Sequence, residues 1–270
     1  VDDCKKAGFE SVVFTFKNHP KNLSDSKKVK QIVSWEEKVK IIESLGADYL
    51  VAIEFDNQLR KMSAEDFIIN ILIGRLNMKA AYCGFHYRFG YKALGTTDLL
   101  EEMGKQYGYS LNILEPVEVQ DNLVSSTRIR QLIADGEMEA CNQLLGRQYA
   151  LEGEVVYGKQ IGTQIGFPTA NILIDETRII PPNGVYITKC FVNNKEWNSI
   201  TNIGCKPTVG GEQRLIETNI INFDENIYNQ NIRIEFYKKI RGESKFKDVN
   251  ALKEQIALDV DAVKTYHHIK

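Results

Sequence analysis

The sequence predicts an α/β domain with a parallel sheet, followed by a small, β-rich antiparallel domain that ends in a helix. Three observations predict it. Up to about residue 148, short apolar runs alternate with capped helical stretches. After Gly146-Arg147, β-rich runs take over, separated by Gly, Asn and Pro. A length of 270 residues suits about two domains. The domains are therefore 1–148 and 149–270.

The chain begins at Val1, inside what already reads as a helix. Ser11–Phe16 is a buried strand. Ser34-Trp-Glu-Glu37 is a capping box that opens a helix ending at Gly46. Tyr49–Phe55 is the next strand. Ser63, with Asp66 three positions on, opens a helix to about Leu76. Strands at Lys79–Gly84 and Ser110–Leu114 flank a helix over Thr97–Tyr107. Such alternation implies one parallel sheet with helices on both faces. Ser125-Ser126-Thr127 then caps a helix that turns at Asp135-Gly136, and a second helix runs to about Gly146.

In the second half, Leu151–Tyr157, Val185–Val192, Ile200–Ile203, Leu215–Phe223 and Ile232–Tyr237 read as strands of a small barrel or sandwich. Ile232-Arg-Ile-Glu-Phe-Tyr alternates as a half-buried antiparallel strand does. Leu252, Ile256, Val260 and Val263 make one stripe of a final helix over Val249–Tyr266.

Composition narrows the function classes. The chain is 43% hydrophobic and 26% charged, as ordinary globular proteins are. A net charge of −2 and a pI near 6.2 give no global field for nucleic acid or an anionic membrane. The densest basic spot, Lys27-Lys28-Val29-Lys30, reads as a solvated loop. The five cysteines form no CxxC pair, which fits scattered thiols in a reducing cytoplasm. The most apolar run, Phe67–Ile73, contains Asn70 and is too short to span a bilayer. No secretory signal is visible.

The most informative stretch is Gly158-Lys-Gln-Ile-Gly-Thr-Gln-Ile-Gly-Phe-Pro-Thr-Ala-Asn171. Gly158, Gly162 and Gly166 free the backbone for close approach and positive φ. Pro168 then holds Thr169 and Asn171, two oxygen-bearing side chains two residues apart. Backbone N–H groups, Lys159 and hard oxygen ligands suit a polyphosphate with Mg²⁺. An adjacent near-match to the P-loop, Gly153 to Gln160, fails because Gln160 replaces the Ser/Thr and no helix follows.

Gly-Phe-Pro-Thr-Ala-Asn resembles the signature of the riboflavin kinase family. Gly184-Val-Tyr186, Thr201-Asn-Ile-Gly-Cys-Lys-Pro-Thr208, Glu217 in a strand leading to Asn222-Phe223, and Arg241-Gly-Glu-Ser-Lys-Phe246 continue the match in order. The resemblance spans nearly all of residues 149–266. It implies an antiparallel β-barrel that transfers the γ-phosphoryl of ATP to the ribityl 5′-hydroxyl of riboflavin. It also implies Thr169 and Asn171 as holders of Mg²⁺ and phosphate, and Glu217 as general base.

Residue chemistry supports these roles separately, since phosphoryl transfer needs charge neutralisation, alignment and a proton acceptor. In a strand, Leu215, Glu217, Asn219, Ile221 and Phe223 share one face. Among apolar neighbours, desolvation would make the Glu217 carboxylate a stronger base. The alternative is a surface glutamate with Ile216, Thr218 and Ile220 facing the core. Asn202, Gly204 and Arg241 are candidates for contact with flavin or nucleotide.

Residues 9–148 resemble the Rossmann-like nucleotidyltransferase domain that precedes this kinase in bacteria and adenylylates FMN to FAD. Phe14-Thr-Phe16 with His19-Pro20, and Val124-Ser-Ser-Thr-Arg-Ile-Arg130, carry that likeness. Hydroxyls at Ser125, Ser126 and Thr127 on a helix N-terminus make an anion site, to which Arg128 and Arg130 add charge. Two departures stand out. The family's His-x-Gly-His motif does not occur in this chain, and His86 in Gly84-Phe-His-Tyr-Arg-Phe-Gly90 occupies the family's aspartate position. Since the chain opens mid-helix, the expectation is that a preceding strand and loop belong to the natural protein. As written, these residues would then adenylylate FMN poorly or not at all.

The sequence thus reads as a cytoplasmic, bifunctional flavin-cofactor enzyme acting on ATP, riboflavin and FMN. A kinase with a scaffold-only first domain and a flavin sensor without turnover are the alternatives.

Overall fold

The structure, a computed structural model, describes residues 1–23, 28–158, 162, 165–208 and 211–268, with the side chains of 206–208 and 211–213 left aside. Lys159 and Lys27 lie outside the described residues. The chain divides into two compact units, Val1–Val29 with Ser34–Glu118, and Lys30–Val33 with Val119–Lys270.

The first unit contains α1 (Asp2–Ala7), β1 (Val12–Phe16), α2 (Trp35–Ser44), β2 (Tyr49–Ile53), α3 (Asn57–Lys61), α4 (Ala64–Asp66), β3 (Ala80–Gly84), α5 (Thr97–Tyr107) and β4 (Ser110–Leu114). The Ser34 side chain accepts a hydrogen bond from the Glu37 N–H, as the capping box predicts. Ser63 caps α4 in the same way, and the helix then widens into π geometry over Phe67–Ile73. The expected parallel pairing holds within β1–β2 and β3–β4. Among the described residues these pairs form two separate two-stranded sheets, not the single sheet expected. Apolar periodicity specifies each strand–helix–strand crossover. It does not specify how many crossovers one sheet collects. Phe67, Ile68, Leu100 and Met103 form the centre of this unit, with Phe14, Cys83 and Leu111 packed against them.

After the short ladder of β5 (Glu118–Val119) with β6 (Asn122–Leu123), the second unit contains α6 (Ser126–Asp135) and α7 (Met138–Leu145). Next come β7 (Tyr149–Val156), β8 (Ala170–Leu173), β9 (Gly184–Val192), β10 (Lys195–Thr208), β11 (Gly211–Ile220), β12 (Asn231–Arg241) and α8 (Val249–Tyr266). Six antiparallel strands close into a barrel in the order β10-β11-β8-β7-β12-β9. Leu151, Ile203, Ile216, Ile232, Ile234 and Phe236 fill the interior. Ile129, Leu132, Ile133, Met138 and Cys141 of α6 and α7 belong to the same core cluster. That packing is why the second unit starts at Val119, ahead of the composition change near residue 148. On another part of the wall, Val260 and Val263 of α8 cover Val185, Ile187 and Ile200.

Two strands differ from expectation. β8, with Ala170 and Asn171, is absent from the strands read in the sequence, because four residues give too short a run to stand out. β10 is much longer than Ile200–Ile203, since Asn198, Asn202 and Gly204 interrupt its apolar pattern without interrupting its ladder.

Burial pushes the Cys190 thiol up to about 12. The Cys141 thiol is also pushed up to about 12 by burial, partly offset by the Arg147 charge. Cys205 is exposed. Because the thiolate is the nucleophile, a thiol reagent at about pH 8 is expected to label Cys205 in the native protein. Cys141 and Cys190 should react only after unfolding. Native labelling of either, read by peptide mass mapping, would contradict this packing.

Candidate active site on the outer wall of the barrel

Antiparallel pairing lines up one residue from each barrel strand. Val156 of β7 faces Asn171 of β8, and Asn171 faces Glu217 of β11. Glu217 faces Asn202 of β10, Asn202 faces Val185 of β9, and Val185 faces Arg241 of β12. Residues opposite one another in a ladder project from the same side of the sheet. Ile216, Thr218 and Ile220 are buried at 0%, 0% and 6% exposure, so they hold the interior side of β11 and the Glu217 row lies on the outer wall. The neighbours flanking Glu217 across the ladders are therefore two amides, not the apolar surroundings its strand pattern suggested. Leu215 and Asn219, two residues either side, share its face.

This row opens on a cavity of about 680 Å³ lined by Gly158, Thr169, Asn171, Asn202, Glu217 and Arg241. Its volume falls within the range of small-molecule sites, roughly 300–1,000 Å³. Phe167 packs against the cluster beneath α8, and the Asn219 amide donates 2.7 Å to the Pro168 carbonyl. Those two contacts fix the entry of the chain into β8 and hence the aim of Thr169 and Asn171. Asn171 is 4% exposed, and its Oδ1 has no hydrogen-bond partner among the described residues. A buried, unpaired carbonyl oxygen costs about 1–3 kcal/mol, so its retention beside a cavity points to a ligand. Gly158 is required here, because a Cβ would lie 2.1 Å from Asn171 Nδ2. At Gly162 a Cβ would meet the Phe167 carbonyl at 2.3 Å, while Gly166 takes φ +88°.

Gly204 and Asn202 sit on the other flank of Glu217. Glu243 Oε1 lies where a Gly204 side chain would be, and the other Glu243 oxygen accepts from Asn183 Nδ2 at 2.8 Å. Arg241 lines the cavity while bonded to a neighbouring helix. Its guanidinium is held by the Asp259 carboxylate of α8 at 2.6, 3.0 and 3.1 Å and stands 5.8 Å from the Phe246 ring. Gln255 donates to Asp259 as well, at 2.9 Å. Sequence reading missed Asp259, Asn219 and Glu243. Asp259, a charge on the apolar stripe side of α8, is the one whose signal was present.

The second predicted anion site is at the start of α6. Ser125 caps the helix, accepting from the Arg128 N–H at 3.2 Å, and Ser126, Thr127 and Arg128 are exposed. Arg130 lies one turn further along the helix. It is half-buried, burial lowers its pKa, and its Nε donates 2.8 Å to the Lys30 carbonyl.

Arg241→Ala leaves the Asp259 carboxylate, 4% exposed, without its counter-charge. It is expected to lower the unfolding free energy by about 3–5 kcal/mol in urea denaturation. A loss under about 1 kcal/mol would show that this ion pair does not anchor α8.

Comparison with known proteins identifies the family. Residues 145–267 match the family model for riboflavin kinase, and residues 1–128 match that for FAD synthetase. A bifunctional riboflavin kinase/FMN adenylyltransferase of Buchnera aphidicola subsp. Schizaphis graminum is 37% identical over 98% of this chain and 86% of its own. The Bacillus subtilis protein of that name is 35% identical over 98% and 85%. A crystal structure described as a macrolide-efflux protein from Streptococcus pneumoniae has a TM-score of 0.90 at 29% identity, covering 97% of this chain and 86% of that one. Among the described residues, no helix is long and apolar enough to cross a membrane. With both family models matched in tandem and relatives alike over nearly its whole length, this chain belongs to the bifunctional riboflavin kinase/FMN adenylyltransferase family of flavin-cofactor synthesis.

Proposed function

We propose that the outer-wall cavity is where ATP and riboflavin meet, and that Glu217 is the proton acceptor of the kinase reaction. The observation that carries this is the row Asn171–Glu217–Asn202 on three adjacent strands, facing one cavity. In the transfer, the ribityl 5′-hydroxyl oxygen bonds to the γ-phosphorus of ATP. The bond from that phosphorus to the bridging oxygen breaks, ADP leaves, and the hydroxyl proton passes to the Glu217 carboxylate.

The residues fit a divalent ion. Asn171 Oδ1 is unpaired among the described residues, and Thr169 lines the same cavity two residues away. Those two side chains would hold Mg²⁺, which supplies charge neutralisation on the phosphates. Gly158 and Gly162 line the same cavity, and their backbone would face the phosphates there. Asn202 and Gly204, on the far flank of Glu217, take the riboflavin side. Arg241 acts by holding the 241–246 turn to α8, and it lines the cavity without giving up Asp259.

FMN adenylylation belongs to the other half of the family's chemistry. The absent His-x-Gly-His weakened that reading in the sequence, but residues 1–128 match the FAD synthetase model. The exposed start of α6, with Ser126, Thr127 and Arg128, would take an ATP phosphate. This reading needs small molecules alone and places the enzyme in the cytoplasm.

The chain incubated with riboflavin, ATP and Mg²⁺ is expected to yield FMN and then FAD on chromatography. Absence of FMN would remove the kinase reading and leave a flavin sensor. FMN without FAD would remove the transferase reading for this chain.

A further inference from the structure

The barrel interior contains a group of side chains that the reaction above does not use. Thr188, Ser199, Thr201 and Thr218 are each 0% exposed. Their hydroxyls form a chain, Ser199 to Thr188, Thr188 to Thr201 and Thr201 to Thr218, with every link 2.8 Å. Thr188 faces Ser199 across β9 and β10, and Thr201 faces Thr218 across β10 and β11. The middle link is diagonal and joins the two pairs. Around them the interior is Tyr186, Cys190, Ile203, Ile216 and Phe236.

A buried hydroxyl costs free energy unless it is bonded, and an all-apolar core of the same shape avoids that cost. Fully satisfied polar networks in a core instead favour one arrangement over its near alternatives. The alternative that matters in a ladder is slippage, because a one-residue slip exchanges the two faces of a strand.

The position of the chain gives it a functional meaning. Thr201 precedes Asn202, and Thr218 follows Glu217. Thr218 also faces Ala170, the residue before Asn171. The inner row Ala170–Thr218–Thr201 therefore runs directly beside the outer row Asn171–Glu217–Asn202, on opposite sides of one wall.

We propose that this hydroxyl chain is the positioning element of the phosphoryl-transfer site, tying β9, β10 and β11 from inside so that Glu217 and Asn202 stay in line with Asn171 outside. Thr201 and Thr218 are positioning residues, since they touch no reacting atom. The inference rests on Glu217 as proton acceptor. It is chemically consequential because a misplacement of about 1 Å costs on the order of a hundredfold in rate.

The test is steady-state riboflavin phosphorylation by the full chain carrying Thr201→Val, which keeps shape and removes the shared hydroxyl, or Thr201→Ser, which keeps the hydroxyl. Folded Thr201→Val is expected to lose about tenfold or more in kcat with riboflavin KM within about twofold, and Thr201→Ser to stay within about threefold of wild type. A core hydroxyl that served stability alone would lower the melting temperature and leave kcat unchanged. Folded Thr201→Val with kcat within about twofold of wild type overturns the proposal.

Where Thr201→Val does not accumulate as folded protein, Ser199→Ala at the far end of the chain takes its place. Its expected loss is about threefold in kcat at constant KM, and an unchanged kcat overturns the proposal. Glu217→Gln, assayed in parallel, separates the two readings. Loss of kcat in Glu217→Gln but not in the threonine variants removes the positioning role alone. Normal kcat in Glu217→Gln removes the proton-acceptor role on which it rests.

Discussion

Closure of six antiparallel strands is the constraint on which this site depends. Once a wall closes, each residue of β7 to β12 is committed to the interior or the exterior, and every ladder pairing places neighbours side by side. Ile216 and Thr218 go inward, so Glu217 must go outward. The pairings on either side then deliver Asn171 and Asn202 next to it from strands that are far apart in sequence. Ten aligned pairs between β10 and β11 hold that register.

The outer wall is also where the fold accepts unfavourable terms. Asn171 buries an oxygen with no partner among the described residues, and Asp259 buries a carboxylate that depends on Arg241 and Gln255. Burial of the interior's apolar side chains, among them Leu151, Ile216 and Phe236, offsets these costs. The contacts of Asn219 with the Pro168 carbonyl and of Phe167 with the cluster beneath α8 carry that rigidity into the segment leading to Thr169.

Much of this was legible in the chain. Helix starts at Ser34, Ser63 and Ser125 were written in their caps, and α5, β4 and α8 begin and end where periodicity placed them. The glycine-rich run pointed to a phosphate site by its residue types, whereas Glu217 was singled out by the resemblance to the riboflavin kinase family, since its strand pattern alone leaves a surface glutamate open. Pairings between distant strands were not legible. That Asn171 faces Glu217 is a property of the closed sheet, and nothing local in Phe-Pro-Thr-Ala-Asn encodes it. For the same reason nothing local to Arg241 announces Asp259, eighteen residues on and on another element, as its partner. The single parallel sheet expected of the first half became two pairs because local pattern specifies crossovers, not neighbours.

The central claim is that the outward row of the barrel performs phosphoryl transfer, with Glu217 receiving the proton. The most direct measurement is single-turnover phosphorylation of riboflavin by Glu217→Gln, with riboflavin binding followed in parallel by flavin fluorescence. General-base catalysis contributes typically about 10²–10⁴-fold, so the rate is expected to fall by that order while riboflavin affinity stays within about twofold. A rate near wild type would contradict the account.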